Sequence, residues 1–178
     1  LKTDLIHSLF LKKDLYVERS DVMLQEKSDF LGIVENRIIR LRYGPCVLIK
    51  TVSAINDEIH VFAEIVNGNS FQKKEVKGVI HWLPEDNSIT CTSNLYRTLF
   101  KTKNPDFENL NDEIQSTSHI QFLKSRIPSD LLSGCTQEYR VQFERLGYFY
   151  FSKLEKQSNN SFNSIIMHLG VEDKIFKK

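Results

Sequence analysis

Glycine is scarce: the chain has seven among 178 residues, with four prolines, three cysteines, two methionines and one tryptophan. So few glycines are too few for an elaborate phosphate cradle, and no Gly-rich phosphate loop, Gly-x-Ser-x-Gly elbow or His-Glu-x-x-His helix is present. A self-contained catalytic site is therefore not expected, and no residue is assigned a catalytic role. No apolar run approaches the ~18 residues that a membrane span needs, so no membrane partner is expected. Leu1 to Phe10 lacks the basic, apolar and small-residue succession of a signal peptide. It also lacks an initiator Met, as expected of a piece cut from a longer protein and equally of a trimmed chain.

The cysteines, Cys46, Cys91 and Cys135, are odd in number and form no Cys-x-x-Cys pair. That pattern argues against a disulfide framework and against a zinc site, and fits reduced thiols in a cytoplasmic protein. His7, His60, His81, His119 and His168 are scattered, with no two at metal-ligand spacing, so no metal is assigned. Net charge is only +1. A nucleic-acid role would then depend on local clustering of cations, not on bulk charge.

What is abundant is alternation. An apolar fraction of 40% supports a real core, in one large domain or two small ones. Within Glu35 to Val52, the run Arg40-Leu41-Arg42-Tyr43 places Ile39, Leu41 and Tyr43 on one face of a strand, and Arg40 and Arg42 on the other. Gly44-Pro45 interrupts before Cys46 to Lys50 resumes. Asn56-Asp57-Glu58 and Asn67-Gly68-Asn69 read as turns around the alternating Ile59, Val61, Ala63 and Ile65. Val76 to Trp82, Ile89 to Leu95 and Arg140 to Phe151 complete the strands, and turn signals at this frequency suit barrels or sandwiches. Short helices are expected at Leu95 to Lys101 and Ser129 to Ser133, a long polar connection over Lys101 to Ser118, and a hairpin tip at Gln157 to Ser161. Trp82 and Tyr148 are expected to be substantially buried.

Two basic groups stand out. Lys73, Lys74 and Lys77 precede or open a strand, and Arg37, Arg40 and Arg42 lie along another. The run Gln142-Phe143-Glu144-Arg145-Leu146-Gly147-Tyr148-Phe149 mixes rings with hydrogen-bonding groups. RNA loops are read by such sets: amide and guanidinium groups bond base edges, planar groups stack on splayed bases, and cations hold phosphates. The plainer account stands beside it: lysines before a strand commonly form a solvated edge, and Phe143 and Phe149 suit a core better than a stacking role. In an ideal strand Gln142 and Arg145 point to opposite faces, so a shared site requires a bulge, twist or strand end between them.

Five ordered blocks resemble the glutaminyl-tRNA synthetase family. They are Leu15-Tyr16-Val17-Glu18-Arg19-Ser20-Asp21, Ile39-Arg40-Leu41-Arg42-Tyr43, Lys74-Glu75-Val76-Lys77-Gly78-Val79-Ile80-His81-Trp82, Leu95-Tyr96-Arg97-Thr98-Leu99-Phe100, and Val141 to Phe149 with Phe162-Asn163 following. Together they span roughly Leu11 to Asp173.

The resemblance implies an all-β fold of two linked six-stranded antiparallel β-barrels with a few short helices. All of 1–178 would be the anticodon-binding region, with about 11–92 plus 162–176 forming the barrel nearer the catalytic domain and about 93–161 the distal barrel. It implies anticodon contacts from Arg19, Lys74, Lys77, Gln142 and Arg145, and tRNA backbone contacts from Arg40, Arg42, Lys73, Asn94 and Arg97. Lys74 stands where the family has Arg, which keeps the charge and loses the bidentate fork. Asn94 and Ser164 also replace family arginines. The partners implied are a glutamine-accepting tRNA and an N-terminal catalytic domain; ATP with Mg belongs to that domain, and no cofactor to this segment. Two other readings compete: the equivalent domain of a glutamyl-tRNA synthetase, and a β-barrel protein-interaction module of a multi-synthetase assembly.

Overall fold

The turn residues set the strand pattern. In the computed structural model, which describes residues 10–68, 71–132, 140–156 and 162–172, the chain divides into two compact units, Leu1–Asn87 and Ser88–Lys178. Strands dominate both.

In the first unit the strands are β1 (Leu15–Val17), β2 (Ile38–Leu41), β3 (Cys46–Ile55), β4 (Glu58–Ile65), β5 (Val76–Ile80) and β6 (Trp82–Pro84). Asn56 and Asp57 carry φ of 50° and 65° between Ile55 and its partner Glu58. Two successive left-handed residues make the tight turn whose twist matches the flanking strands, and Asn and Asp tolerate that region best. The sheet order is β4-β3-β2-β5, and β1 pairs antiparallel with β6. His81 marks the break where the expected single strand Val76 to Trp82 leaves one sheet for the other. Gly78 permits a close approach there, because a Cβ on it would lie 3.0 Å from the Leu31 carbonyl oxygen.

Val22, Ile33, Ile39, Leu41, Val47, Ile49, Val52 and Ile80 form the core of this unit. Ile39 and Leu41 face inward as the alternation requires, but Tyr43 does not join them. The strand ends at Leu41, and Tyr43 has φ 59° and is 79% exposed. Ile65 is also exposed, at the end of edge strand β4. Trp82 is half-buried, and its Nε1 donates to the Arg42 carbonyl at 2.8 Å.

The second unit has β7 (Ser88–Tyr96), a single helical turn α1 (Leu110–Glu113), β8 (His119–Pro128), β9 (Arg140–Phe143), β10 (Gly147–Lys156) and β11 (Phe162–Glu172). Their order is β8-β7-β11-β10-β9. Cys91, Ile127, Leu132, Phe149 and Phe151 are buried behind this sheet, with Val141 and Phe143 against them. Phe143 and Phe149 meet edge to face at 5.3 Å, so both are core. Ser129–Leu132 forms the expected short helix, as a 3-10 turn. Leu95 and Tyr96 instead end β7, and no helix follows them through Phe100, because register with Ile120 and His119 holds this segment extended. Cys91 is buried and Cys46 half-buried; Cys135 and the tip Gln157 to Ser161 lie outside the described residues.

The fold is thus all-β. Among the described residues the pairing gives open sheets of two, four and five strands. Two pairs, β2 with β5 and β7 with β11, run parallel, where antiparallel pairing throughout was expected. In both units a late strand returns by a long crossover beside an early one, as parallel neighbours must. The strand 162–172, which the resemblance groups with the first barrel, is hydrogen-bonded here to β10 and β7.

Candidate nucleic-acid interface

The run Arg140 to Phe151 folds as a hairpin. β9 ends at Phe143, and the Leu146 amide donates to the Phe143 carbonyl at 3.0 Å to close the turn. Strand alternation therefore stops before Arg145, which resolves the geometric objection to a site shared by Gln142 and Arg145. Arg145 sits in the turn with φ 74°, followed by Gly147 at φ 140°. A non-glycine side chain in the left-handed region costs on the order of 1 kcal/mol or more.

Gln142 is exposed on β9. Register places it directly opposite Tyr148, and Arg140 directly opposite Tyr150. Tyr148 is therefore not buried as expected: it is 51% exposed, and Tyr150 is 41% exposed. The sequence Tyr148-Phe149-Tyr150-Phe151 is two interleaved stripes. Bare rings point to the core, and hydroxylated rings point to solvent with Gln142 and Arg140.

The same face continues across the sheet as a row of parallel rings. Tyr150 stacks on His168 at 5.1 Å, His168 on Tyr96 at 5.6 Å, and Tyr96 on His119 at 5.0 Å, with interplanar angles of 18°, 6° and 13°. His168 is pinned at both nitrogens, Nδ1 to the Tyr96 hydroxyl and Nε2 to the Ser152 hydroxyl, each at 2.7 Å. Burial first, and then the charge of His119, hold the His168 pKa below its ordinary value. Sequence reasoning missed this row. Its signal was available in the outward stripe of β10.

Asn94 belongs to this sheet but does not reach solvent. It is 4% exposed, and its Oδ1 accepts from His119 Nε2 and Gln121 Nε2, both at 2.9 Å. A buried carbonyl bonded in this way braces β7 against β8, so the expected phosphate contact at Asn94 is not the arrangement found. Arg97 is exposed just beyond β7.

In the first unit the cations are distributed over several elements. Lys73, Lys74 and Glu75 form a 3-10 turn whose Glu75 carboxylate accepts from the Gln72 amide. Lys74 and Lys77 line a shallow depression of about 400 Å³ with Asn36, Arg37, Ile38 and Glu75. Arg37 is a brace: its guanidinium donates to Glu26 at 2.7 Å and to the Phe30 carbonyl at 2.5 Å. Arg40 is exposed on β2, and Arg42 lies over the Tyr43 ring at 4.8 Å. Arg19 is exposed in the turn after β1, with Nη1 donating to the Val22 carbonyl at 3.0 Å. The first unit thus holds Arg19, Lys74 and Lys77, and the second holds Gln142 and Arg145.

Residues 79–152 match the family described as tRNA synthetases class I (E and Q), anti-codon binding domain. Among similar proteins, the probable glutamine–tRNA ligase of Vairimorpha ceranae is 33% identical over 162 residues, 89% of this chain and 21% of that protein. The glutamine–tRNA ligase of Pseudomonas syringae pv. tomato is 31% identical over 160 residues, 83% of this chain and 28% of its own length. That of Azotobacter vinelandii is 30% identical over 155 residues, covering 81% and 27%. The chain therefore spans less than a third of the length of the curated relatives it matches.

Proposed function

Because the chain belongs to the anticodon-binding family of class I tRNA synthetases for glutamate and glutamine, we propose that it reads the anticodon loop of a glutamine tRNA on behalf of a glutamine–tRNA ligase. The observation that carries this reading is the exposed Gln142 beside the left-handed Arg145 turn, inside the matched segment. A glutamine amide presents a donor and an acceptor, enough to pair with the edge of a uridine. An arginine fork can hold a base carbonyl and a neighbouring phosphate together.

In this reading Arg19, Lys74 and Lys77 supply further anticodon contacts from the first unit, and Lys73, Arg40, Arg42 and Arg97 supply phosphate contacts. The segment itself carries no catalysis. An N-terminal domain of the parent enzyme would bind ATP with Mg and join glutamine to the tRNA in the cytoplasm. The glutamine assignment over glutamate follows the names of the relatives above and the Gln142 to Phe149 block.

The test is a double-mutant cycle between Gln142→Ala and each anticodon base, read as tRNA affinity. Gln142→Ala should cost about 1–3 kcal/mol of discrimination at one anticodon position, the scale of a bidentate base contact. It should barely affect a tRNA already changed at that base. Absence of coupling at all three positions refutes the assignment.

A further inference from the structure

We propose that the outward face of the five-stranded sheet is a stacking platform for unpaired RNA bases, with Tyr148 and Tyr150 as its rings. The inference rests on the RNA-binding reading above and adds a sequence-tolerant site to the base-reading one.

The geometry makes three points. Tyr148 and Tyr150 stand two residues apart on β10 with 51% and 41% of their surface exposed. Each lies opposite a polar side chain suited to a nucleotide, Gln142 for a base edge and Arg140 for a phosphate or a second stack. Lastly, Tyr150 is held by the row His168, Tyr96 and His119 behind it, with His168 bonded at both nitrogens. A ring fixed in this way loses little freedom when a base settles on its remaining surface.

Charge agrees with this occupant. Gln142 and Arg140 on β9, the outward Tyr148, Tyr150 and Ser152 on β10, and His168, Tyr96 and His119 in the row include no Asp or Glu. Arg140 supplies a cation there for a polyanion, and the nearest carboxylate in the hairpin sequence is Glu144, two residues beyond Gln142. Stacked rings across strands also stabilise a sheet for its own sake, by about 0.2–1 kcal/mol per pair. That suffices for the row, and the phenol hydroxyls favour the side that meets water, so the platform rests on the exposed rings standing beside Gln142 and Arg140. Some RNA-binding sheets use rings presented in this way to stack two or three unpaired bases.

The experiment uses this chain and an RNA hairpin carrying a glutamine anticodon loop, with 2-aminopurine replacing one loop base at a time. Tyr148→Leu and Tyr150→Leu should each weaken binding by about 5- to 150-fold, the loss that removing one base–aromatic stack produces. The loss should be similar for loops with altered anticodons, because every base has a π-face. Quenching of 2-aminopurine at one loop position should disappear in the Leu variant and return in Tyr148→Phe or Tyr150→Phe. Wild-type affinity and quenching in both Leu variants, alongside a loss in Gln142→Ala, overturns the platform and leaves the anticodon reading standing. Failure of the unaltered chain to bind any glutamine loop overturns both.

Discussion

Replacing Arg145 with Gly separates function from stability at one residue. The native φ of 74° is unfavourable for Arg by on the order of 1–2 kcal/mol and is free for Gly. Against this, Gly gives the unfolded chain extra freedom worth about 0.4–1 kcal/mol. The balance for Arg145→Gly is a stability change between zero and about 1.6 kcal/mol in the stabilising direction. Binding should move oppositely. Loss of a charge-assisted hydrogen bond to RNA costs about 1.5–3 kcal/mol, or roughly 10- to 150-fold in affinity. Urea unfolding gives the first quantity and titration with glutamine tRNA the second. Arg145→Lys is the companion: it keeps both the charge and the strained φ but loses the fork, so it should recover only part of the affinity. A variant destabilised by more than about 2 kcal/mol with unchanged tRNA affinity would falsify the reasoning, because Arg145 would then be a structural staple of its hairpin.

The other predictions concern the cation cluster, the imidazole row and the thiols. Replacing Lys73, Lys74 and Lys77 with Ala should flatten the log–log salt dependence of tRNA binding by roughly 0.7–0.9 per lost phosphate contact; an unchanged slope would mark the cluster as a solvated edge. His168 titrates below its ordinary value in the folded chain, chiefly through burial. The unfolded chain therefore binds this proton first, and stability is lost as pH falls from about 6.5 through the folded value. His168→Gln should remove that component from a series of urea midpoints taken between about pH 7.5 and 5, and an unaltered profile would exclude His168 as its source. Burial raises the Cys91 pKa to about 11, against a smaller opposing effect of the Ser93 hydrogen bond. Maleimide should therefore modify half-buried Cys46 well before Cys91 in the folded chain, as peptide mass mapping would show; equal rates would contradict the burial.

Strand existence was legible because it rests on local chemistry. Asn56-Asp57 specified its turn, and the alternating Ile39 and Leu41 specified the buried face of β2. What failed was extrapolation past a strand end. Tyr43 continued the alternation on paper, but its left-handed φ turns it out to solvent. A short helix was expected to start at Leu95, and cross-strand register with β8 keeps Leu95 and Tyr96 extended. Sheet partners were beyond reach for the same reason. Nothing in β2 or β7 alone announces that β5 or β11 will lie parallel beside it, because pairing is decided by chain segments far away in sequence.

The site shows the same division between local pattern and partner. Gln142 and Arg145 were legible as residue types, and their relation depended on where β9 ends. That end is set by a left-handed arginine, which the Gly147 that follows it hints at but does not specify. Asn94 was misread because its side-chain partners, His119 and Gln121, come from a strand more than twenty residues later. Once β8 supplies them, a polar residue expected at the surface is a buried brace. Tyr148 was misread in the other sense, since aromatic residues next to core phenylalanines invite a core assignment. The hydroxyl argues otherwise. A buried phenol needs a hydrogen-bond partner, whereas an outward tyrosine on a strand whose neighbours are Phe149 and Phe151 needs none. The alternation of Tyr and Phe in β10 is therefore a statement about which side of the sheet meets water, the side that also carries Gln142 and Arg140 of β9.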